Sequence, residues 1–168
     1  MRFRKILLFC MQKICTVYAK KRLHTYGIRL KVNYPCFFGE KTMVGNFCHF
    51  NGISVIGHGF LKIGDFFHSG AEILVITSNH DYKSGTMIPY NTIDIPKDVE
   101  IGDFVWVGSK VIILPGTKIE EGCIIQAGSV VHGHFKRCSI IGGNPAKKFG
   151  ERDKIKFDEC KKNKNILY

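Results

Sequence analysis

No acidic side chain occurs before Glu40. No apolar run near the start approaches the roughly 20 residues that cross a bilayer: Ile6 to Met11 ends at Gln12 and Lys13. That interruption, with no small-residue cleavage site after it, also makes a poor signal peptide. Seven cysteines, at 10, 15, 36, 48, 123, 138 and 160, include no pair two residues apart. A zinc ribbon and a disulfide framework are therefore not expected, and a reducing, cytoplasmic setting fits the free thiols. Tryptophan occurs once, at Trp106.

The formal charge of +11 at first suggests a nucleic-acid partner, but its placement argues against one. Residues 1–31 hold nine Lys or Arg, leaving 25 − 9 = 16 basic against 14 acidic side chains elsewhere, a balance of +2. No recognition motif accompanies the basic terminus, so nucleic acid is not expected as a partner. A chain of 168 residues suits one domain with a continuous core.

The chain is ordered by a period of six. Stepping from Ile95 gives Ile101, Val107, Ile113, Ile119, Ile125 and Val131, all aliphatic, a run that chance would give about once in a few thousand trials. Four residues after the first six of these lie Val99, Val105, Val111, Thr117, Cys123 and Ser129, all small or β-branched. Six matches neither helix nor simple strand alternation. A short strand plus a corner does match, with one aliphatic side chain per unit pointing inward onto its copies in a solenoid. The step recurs at Val32, Phe38, Val44, Phe50 and Ile56, then shifts by one extra residue to Ile63, Ser69 and Val75. Cys36, Cys48 and Cys123 fall in the small series as compact hydrophobes.

These hexads resemble the repeat of hexapeptide acyltransferases. The resemblance implies an all-β solenoid, a left-handed parallel β-helix of three hexads per coil, assembled as a homotrimer with active sites between subunits. The expected organisation is an N-terminal basic amphipathic helix over 1–30, the solenoid over 31–145 and a tail over 146–168. The polar interval 76–94, with Gly85 and Pro89, breaks the period and reads as an extruded loop. The helical face Phe3, Ile6, Leu7, Cys10, Ile14, Val17 and Tyr18 has two readings: it caps the solenoid, or it also makes peripheral contact with an anionic membrane. The tail reads as a partly helical closing segment with Phe149, Ile155 and Phe157 as anchors.

The chemistry centres on His80 in Thr77-Ser78-Asn79-His80-Asp81-Tyr82. An imidazole of near-neutral pKa at the root of a loop suits removal of a hydroxyl proton, and Asp81 or a backbone carbonyl would orient it. An Asn-His pair before a Val105-Trp106-Val107-Gly108-Ser109 repeat is similar to the galactoside, maltose and polysaccharide O-acetyltransferase branch, where the matching histidine is the general base. The resemblance implies acetyl-CoA as co-substrate and a sugar or polysaccharide acceptor; the alternatives are an amine of an amino sugar or an antibiotic hydroxyl within the same chemistry, and a purely structural or binding solenoid outside it. The resemblance places Trp106, Ser109, Ala127 and Gly128 along the pantetheine groove. Asn144, Pro145, Lys147 and Lys148, in the closing Gly-Asn-Pro-Ala-Lys segment, fall at the adenine and phosphates. Asn51, Asn79 and Tyr82 are candidate acceptor contacts. No metal is expected: a zinc site on this scaffold would need two histidines five residues apart, and no pair has that separation.

Overall fold

A computed structural model describes residues 2–33, 36–83 and 86–168. The side chain of Phe3 and Gly85, both noted above, lie outside the described residues. Helix α1 (Arg2–Lys20) leads into a parallel β-solenoid of about six coils. The first coil holds β1 (Thr25–Tyr26) and β2 (Lys31–Val32). The second holds β3 (Thr42–Val44), β4 (His49–Phe50) and β5 (Ile53–Ile56). The third holds β6 (Leu61–Ile63), β7 (His68–Ser69) and β8 (Ile73–Ile76). A hairpin, β9 (Ser78–His80) and β10 (Asp94–Pro96), then leaves the stack. Coils four and five follow as β11 (Val99–Ile101), β12 (Trp106–Val107), β13 (Ile112–Ile113), β14 (Lys118–Ile119), β15 (Ile124–Ile125) and β16 (Val130–Val131). Strands β17 (His134–Phe135) and β18 (Ser139–Gly143) form the last coil, β19 (Ala146–Glu151) turns back antiparallel on β18, and α2 (Lys154–Lys162) ends the fold.

Three faces result. The first stacks β1-β3-β6-β11-β14-β17, the second β2-β4-β7-β12-β15-β18, and the third β5-β8-β13-β16. Coils three and four pair directly, Val99 on Leu61 and Ile113 on Val75, so the extruded segment leaves no gap. Val32, Phe50, Ser69, Val107, Ile125 and Ile141 form one inward column on the second face, none more than 1% exposed. Burying each large aliphatic or aromatic member contributes roughly 1.5–3 kcal/mol. The column narrows at Ser69, and Phe67 fills the space with its ring 5.1 Å from that of Phe50. The second inward series is therefore not small throughout: Ile53, Leu61, Phe67 and Ile73 hold it in the second and third coils.

Two members of the period-six series belong elsewhere. Ile95 lies in the hairpin strand β10 and is 39% exposed. Ile56 is exposed, because Val55, paired with Val75, takes the third-face position in the second coil. Gly52, at φ +134°, lets the preceding corner close one residue early. The longer bend through Gly57 and Gly59 then adds two residues, which leaves the net shift of one seen at Leu61 and Ile63.

The corners between first and second faces carry their own repeat. Gly45-Asn46-Phe47, Gly64-Asp65-Phe66 and Gly102-Asp103-Phe104 stack coil on coil. The Asn46 amide donates to Asp65 Oδ1 at 2.7 Å, and the Asp65 amide to Asp103 Oδ1 at 2.8 Å. Phe47, Phe66 and Phe104 adopt φ of +55° to +56°, unusual for a bulky residue. Their rings stack at 4.8 and 4.7 Å, an attraction that offsets the backbone cost. The thiols of Cys48 and Cys123 are buried and donate to carbonyls of Gly64 and Lys136, each at 3.2 Å. Burial pushes the two up to about 12 and about 11, respectively, so they remain protonated.

Both ends differ from expectation. Helix α1 buries Ala19 and half-buries Gln12, Cys15 and Thr16, whereas Ile6, Leu7, Met11, Ile14, Val17 and Tyr18 are exposed. The expected apolar face is thus the outer one. Polar groups fix this orientation: the Val32 amide donates to Thr16 Oγ1 at 3.1 Å and Gln12 donates to Asn33. In the tail Phe149 and Ile155 are exposed, and the anchors are Phe157, edge-on to Phe104 at 5.8 Å, and Tyr168, 5.0 Å from Phe47. Arg137 bridges Glu121 and Asp158, and Lys161 reaches Glu121, tying α2 to the last coils.

On the outer side of the second face His49 and His68 meet edge-on at 4.6 Å. Asn33 Nδ2 donates to His49 Nε2 at 2.6 Å, so that nitrogen is the acceptor of a neutral ring. Burial first, then His68 and Lys31, lower the His49 pKa from 6.5 to about 4, and burial lowers that of His68. Between those values the unfolded chain takes up a proton that the fold refuses. Stability is therefore expected to be level above pH 6.5 and to fall as the pH drops from 6.5 toward 4; thermal melts of His49→Gln should show a shallower slope in that window. Phe50→Ala should cost about 3–5 kcal/mol in urea unfolding, since the neighbouring rungs cannot collapse onto the cavity.

Candidate active site

The extruded segment leaves at the corner between third and first faces. Strands β9 and β10 pair antiparallel, with Pro96 opposite Ser78, Ile95 opposite Asn79 and Asp94 opposite His80. His80 therefore stands on the last rung of a short ladder. Its ring stacks on Tyr90 at 4.2 Å between centroids and 6° between planes, which fixes its orientation while leaving one edge open.

The carboxylate facing the imidazole is Asp94, not Asp81. Asp94 Oδ1 lies 3.9 Å from His80 Nδ1, and its Oδ2 lies 3.5 Å from Nε2 of His58 on the adjacent corner. At 3.9 Å the contact is electrostatic rather than a formed hydrogen bond. It still favours the tautomer with the proton on Nδ1 and the lone pair on Nε2. Asp81 is buried at 7% exposure and folds the loop. Its Oδ1 accepts from the Lys83 amide at 3.0 Å, its carbonyl from the Asn91 amide at 3.1 Å, and its own amide donates to Ile93 at 3.0 Å. Asp81 follows the last residue of β9 and is buried where His80 is exposed, so the two side chains diverge.

The residues expected at the coenzyme gather on a different edge. Ser109, Ala127, Gly128, Asn144 and Pro145 all lie at or just past the end of second-face strands, forming one ridge along the corner between second and third faces. Ser109 Oγ accepts from the Ala71 amide at 3.1 Å, and the Gly128 amide donates to Ser109 O at 2.9 Å. Gly128 has φ +74° with open space where a Cβ would project, so the ridge surface there is bare backbone. Trp106 sits beside it on the second face, between His68 and Ile124, and is 51% exposed. Its indole also lines a groove of about 740 Å³ between that face and α2, walled by Phe66, Phe104, Phe157 and Leu167.

Of the remaining residues, Asn79 and Tyr82 are exposed on the hairpin beside His80. Asn51 is not beside them. It stands at a second-face corner, where its Oδ1 accepts from Asn33 at 2.7 Å and its Nδ2 donates to Ser69 O at 2.6 Å, a role in the coil ladder. Lys147 and Lys148 alternate sides of β19, and Lys148 pairs with Glu151 at 2.9 Å. Among the described residues no cluster of three or more His, Cys, Asp or Glu is arranged to hold a metal.

His80 and the ridge thus occupy two edges of the prism, separated by the third face, whose longest strands, the four-residue β5 and β8, span about 13 Å. Asp94 and the stacking role of Tyr90 escaped the sequence reading. A signal existed: a segment that returns to its starting corner must pair its two ends, and the residue opposite His80 is then near Asp94.

Residues 98–133 match the family model described as bacterial transferase hexapeptide (six repeats). A relative from Lysinibacillus sphaericus named for macrolide acetylation is 32% identical over 138 residues, covering 72% of this chain and 67% of its own. WbbJ of Escherichia coli K12, named for O-acetyl transfer in lipopolysaccharide biosynthesis, is 31% identical over 120 residues, covering 66% of this chain and 58% of its own length. A galactoside acetyltransferase solved in complex with coenzyme A superposes with a TM-score of 0.70 at 24% identity, over 82% of this chain and 70% of that one, a likeness of fold. Repeat, solenoid and the 67% span of a 32% identical relative agree: the chain belongs to the hexapeptide-repeat acyltransferase family.

Proposed function

We propose that the protein is an acetyl-CoA-dependent O-acetyltransferase acting on a sugar hydroxyl, of a surface polysaccharide or its precursor, with His80 as general base. The observation that carries this reading is the His80–Asp94–Tyr90 arrangement on the hairpin. It leaves Nε2 as the free, basic edge of a held ring. Nε2 takes the acceptor hydroxyl proton as the oxygen attacks the thioester carbonyl. The tetrahedral intermediate then collapses, the C–S bond breaks, and the thiolate leaves with the proton returned by the imidazolium. A covalent cysteine route has less support, because every cysteine lies outside the hairpin and its loop.

The separation of His80 from the ridge supports a homotrimer. A head-to-tail ring sets the corner carrying His80 of one copy against the corner carrying Ser109, Ala127 and Gly128 of the next. Pantetheine would lie along the bare backbone at Gly128 with Trp106 beside it, and Lys147 would approach a phosphate. The sugar acceptor draws support from the relation to WbbJ. A second reading, transfer to an antibiotic hydroxyl, is favoured by the macrolide-named relative, and a panel of both acceptor types separates the two.

His80→Ala is expected to lower kcat about 100-fold or more, with acetyl-CoA affinity by calorimetry unchanged; near-wild-type turnover would remove His80 from its role. A His80→Ala subunit and an Ala127→Trp subunit should each be inactive alone. Mixed in equal amounts and reassembled, they should recover roughly a quarter of wild-type activity if each site draws on two copies. No recovery in confirmed mixed trimers would place the whole site within one chain.

A further inference from the structure

The outer side of α1 is a wide apolar stripe that no other element among the described residues covers. At about 100° per residue, Ile6, Leu7, Cys10, Met11, Ile14, Val17 and Tyr18 fall within an arc of roughly 140°. All seven are exposed, six of them between 40% and 68%. The opposite side, Gln12, Cys15, Thr16 and Ala19, rests on the first coil through the Thr16 and Gln12 hydrogen bonds. From Ile6 on, burial begins at Gln12: Leu8 and Phe9 are also exposed, at 51% and 58%, so residues 6–11 stand clear of the coils.

We propose that this stripe docks on the surface of an anionic bilayer, α1 lying in the interface with the solenoid behind it. Charge selects this occupant. Nine basic and no acidic residues occur in 1–31, and Lys13, Lys20 and Arg22 flank the stripe, over the rings of Phe9, Tyr26 and Tyr18 at 5.2, 5.1 and 5.8 Å. Long cations lying along aromatic rims deliver their charge to headgroups while the rings enter the acyl boundary. A second copy meeting stripe to stripe would bring together two acid-free sets of cations, which anionic lipid neutralises instead. The helix lies on the membrane rather than through it, since no helix among the described residues is long and apolar enough to cross one.

The proposal is independent of the catalytic reading. The full-length protein should co-sediment with phosphatidylcholine vesicles containing phosphatidylglycerol, bind pure phosphatidylcholine at least tenfold less, and be released as salt rises from about 0.1 to 0.5 M. Leu7→Glu/Ile14→Glu, at exposed positions, should reduce binding tenfold or more with an unchanged melting temperature and assembly mass. Lys13→Glu/Lys20→Glu should do so while sparing the stripe. Absence of binding by the intact protein, or equal binding to both vesicle types, would overturn the proposal. A lower assembly mass in the stripe variant would overturn it in favour of a contact between copies.

Discussion

Parallel backbone hydrogen bonds hold each coil about 4.8 Å from the next, and every other feature follows from that spacing. One inward side chain per face per coil must meet its copy above and below at this distance. Columns such as Val107 on Ile125 on Ile141 are therefore selected for size. Where a column departs, the neighbour compensates, as Phe67 does beside Ser69. The corners obey the same repeat. Asn46, Asp65 and Asp103 each offer a polar side chain at the height of an amide on a neighbouring coil, and the phenylalanine rings that follow stack at a separation the backbone imposes.

That constraint also explains what was legible in the amino-acid order. From Ile101 to Val131 each residue's neighbours are displaced by one coil, so a strict step of six reports the structure directly. The step extends into Ile95 only because a hairpin strand is also rich in β-branched residues, and nothing local distinguishes the two. Ile56 misleads for another reason: the corner at Gly52 closes one residue early and the bend at Gly57 runs two residues over, so the amino-acid order shows only the net shift of one that leads to Ile63. The helix was legible as amphipathic but not in its direction, because its inner contacts are hydrogen bonds from Gln12 and Thr16 that no hydropathy pattern reports.

For the proposed site, the position of His80 at the root of the hairpin was legible from the interruption of the repeat, whereas its neighbours were not. Asp94 lies fourteen positions away in the chain and across a ladder, and only the antiparallel return of the loop brings it near. Asp81 is adjacent in sequence and faces the other way. Asn51 resembled a sugar contact because Asn is unusual where the repeat favours glycine. Its amide instead links three coils through Asn33 and Ser69.

The hairpin of β9 and β10 enters and leaves at one corner, while Leu61 and Val99 pair as though nothing lay between them. The scaffold therefore carries no record of the loop's length or composition. Residues 81–93 can be exchanged for another excursion without disturbing a single inward side chain or the ridge on the far edge. Diversity of the excursion with constancy of the coils is what such an architecture makes easy.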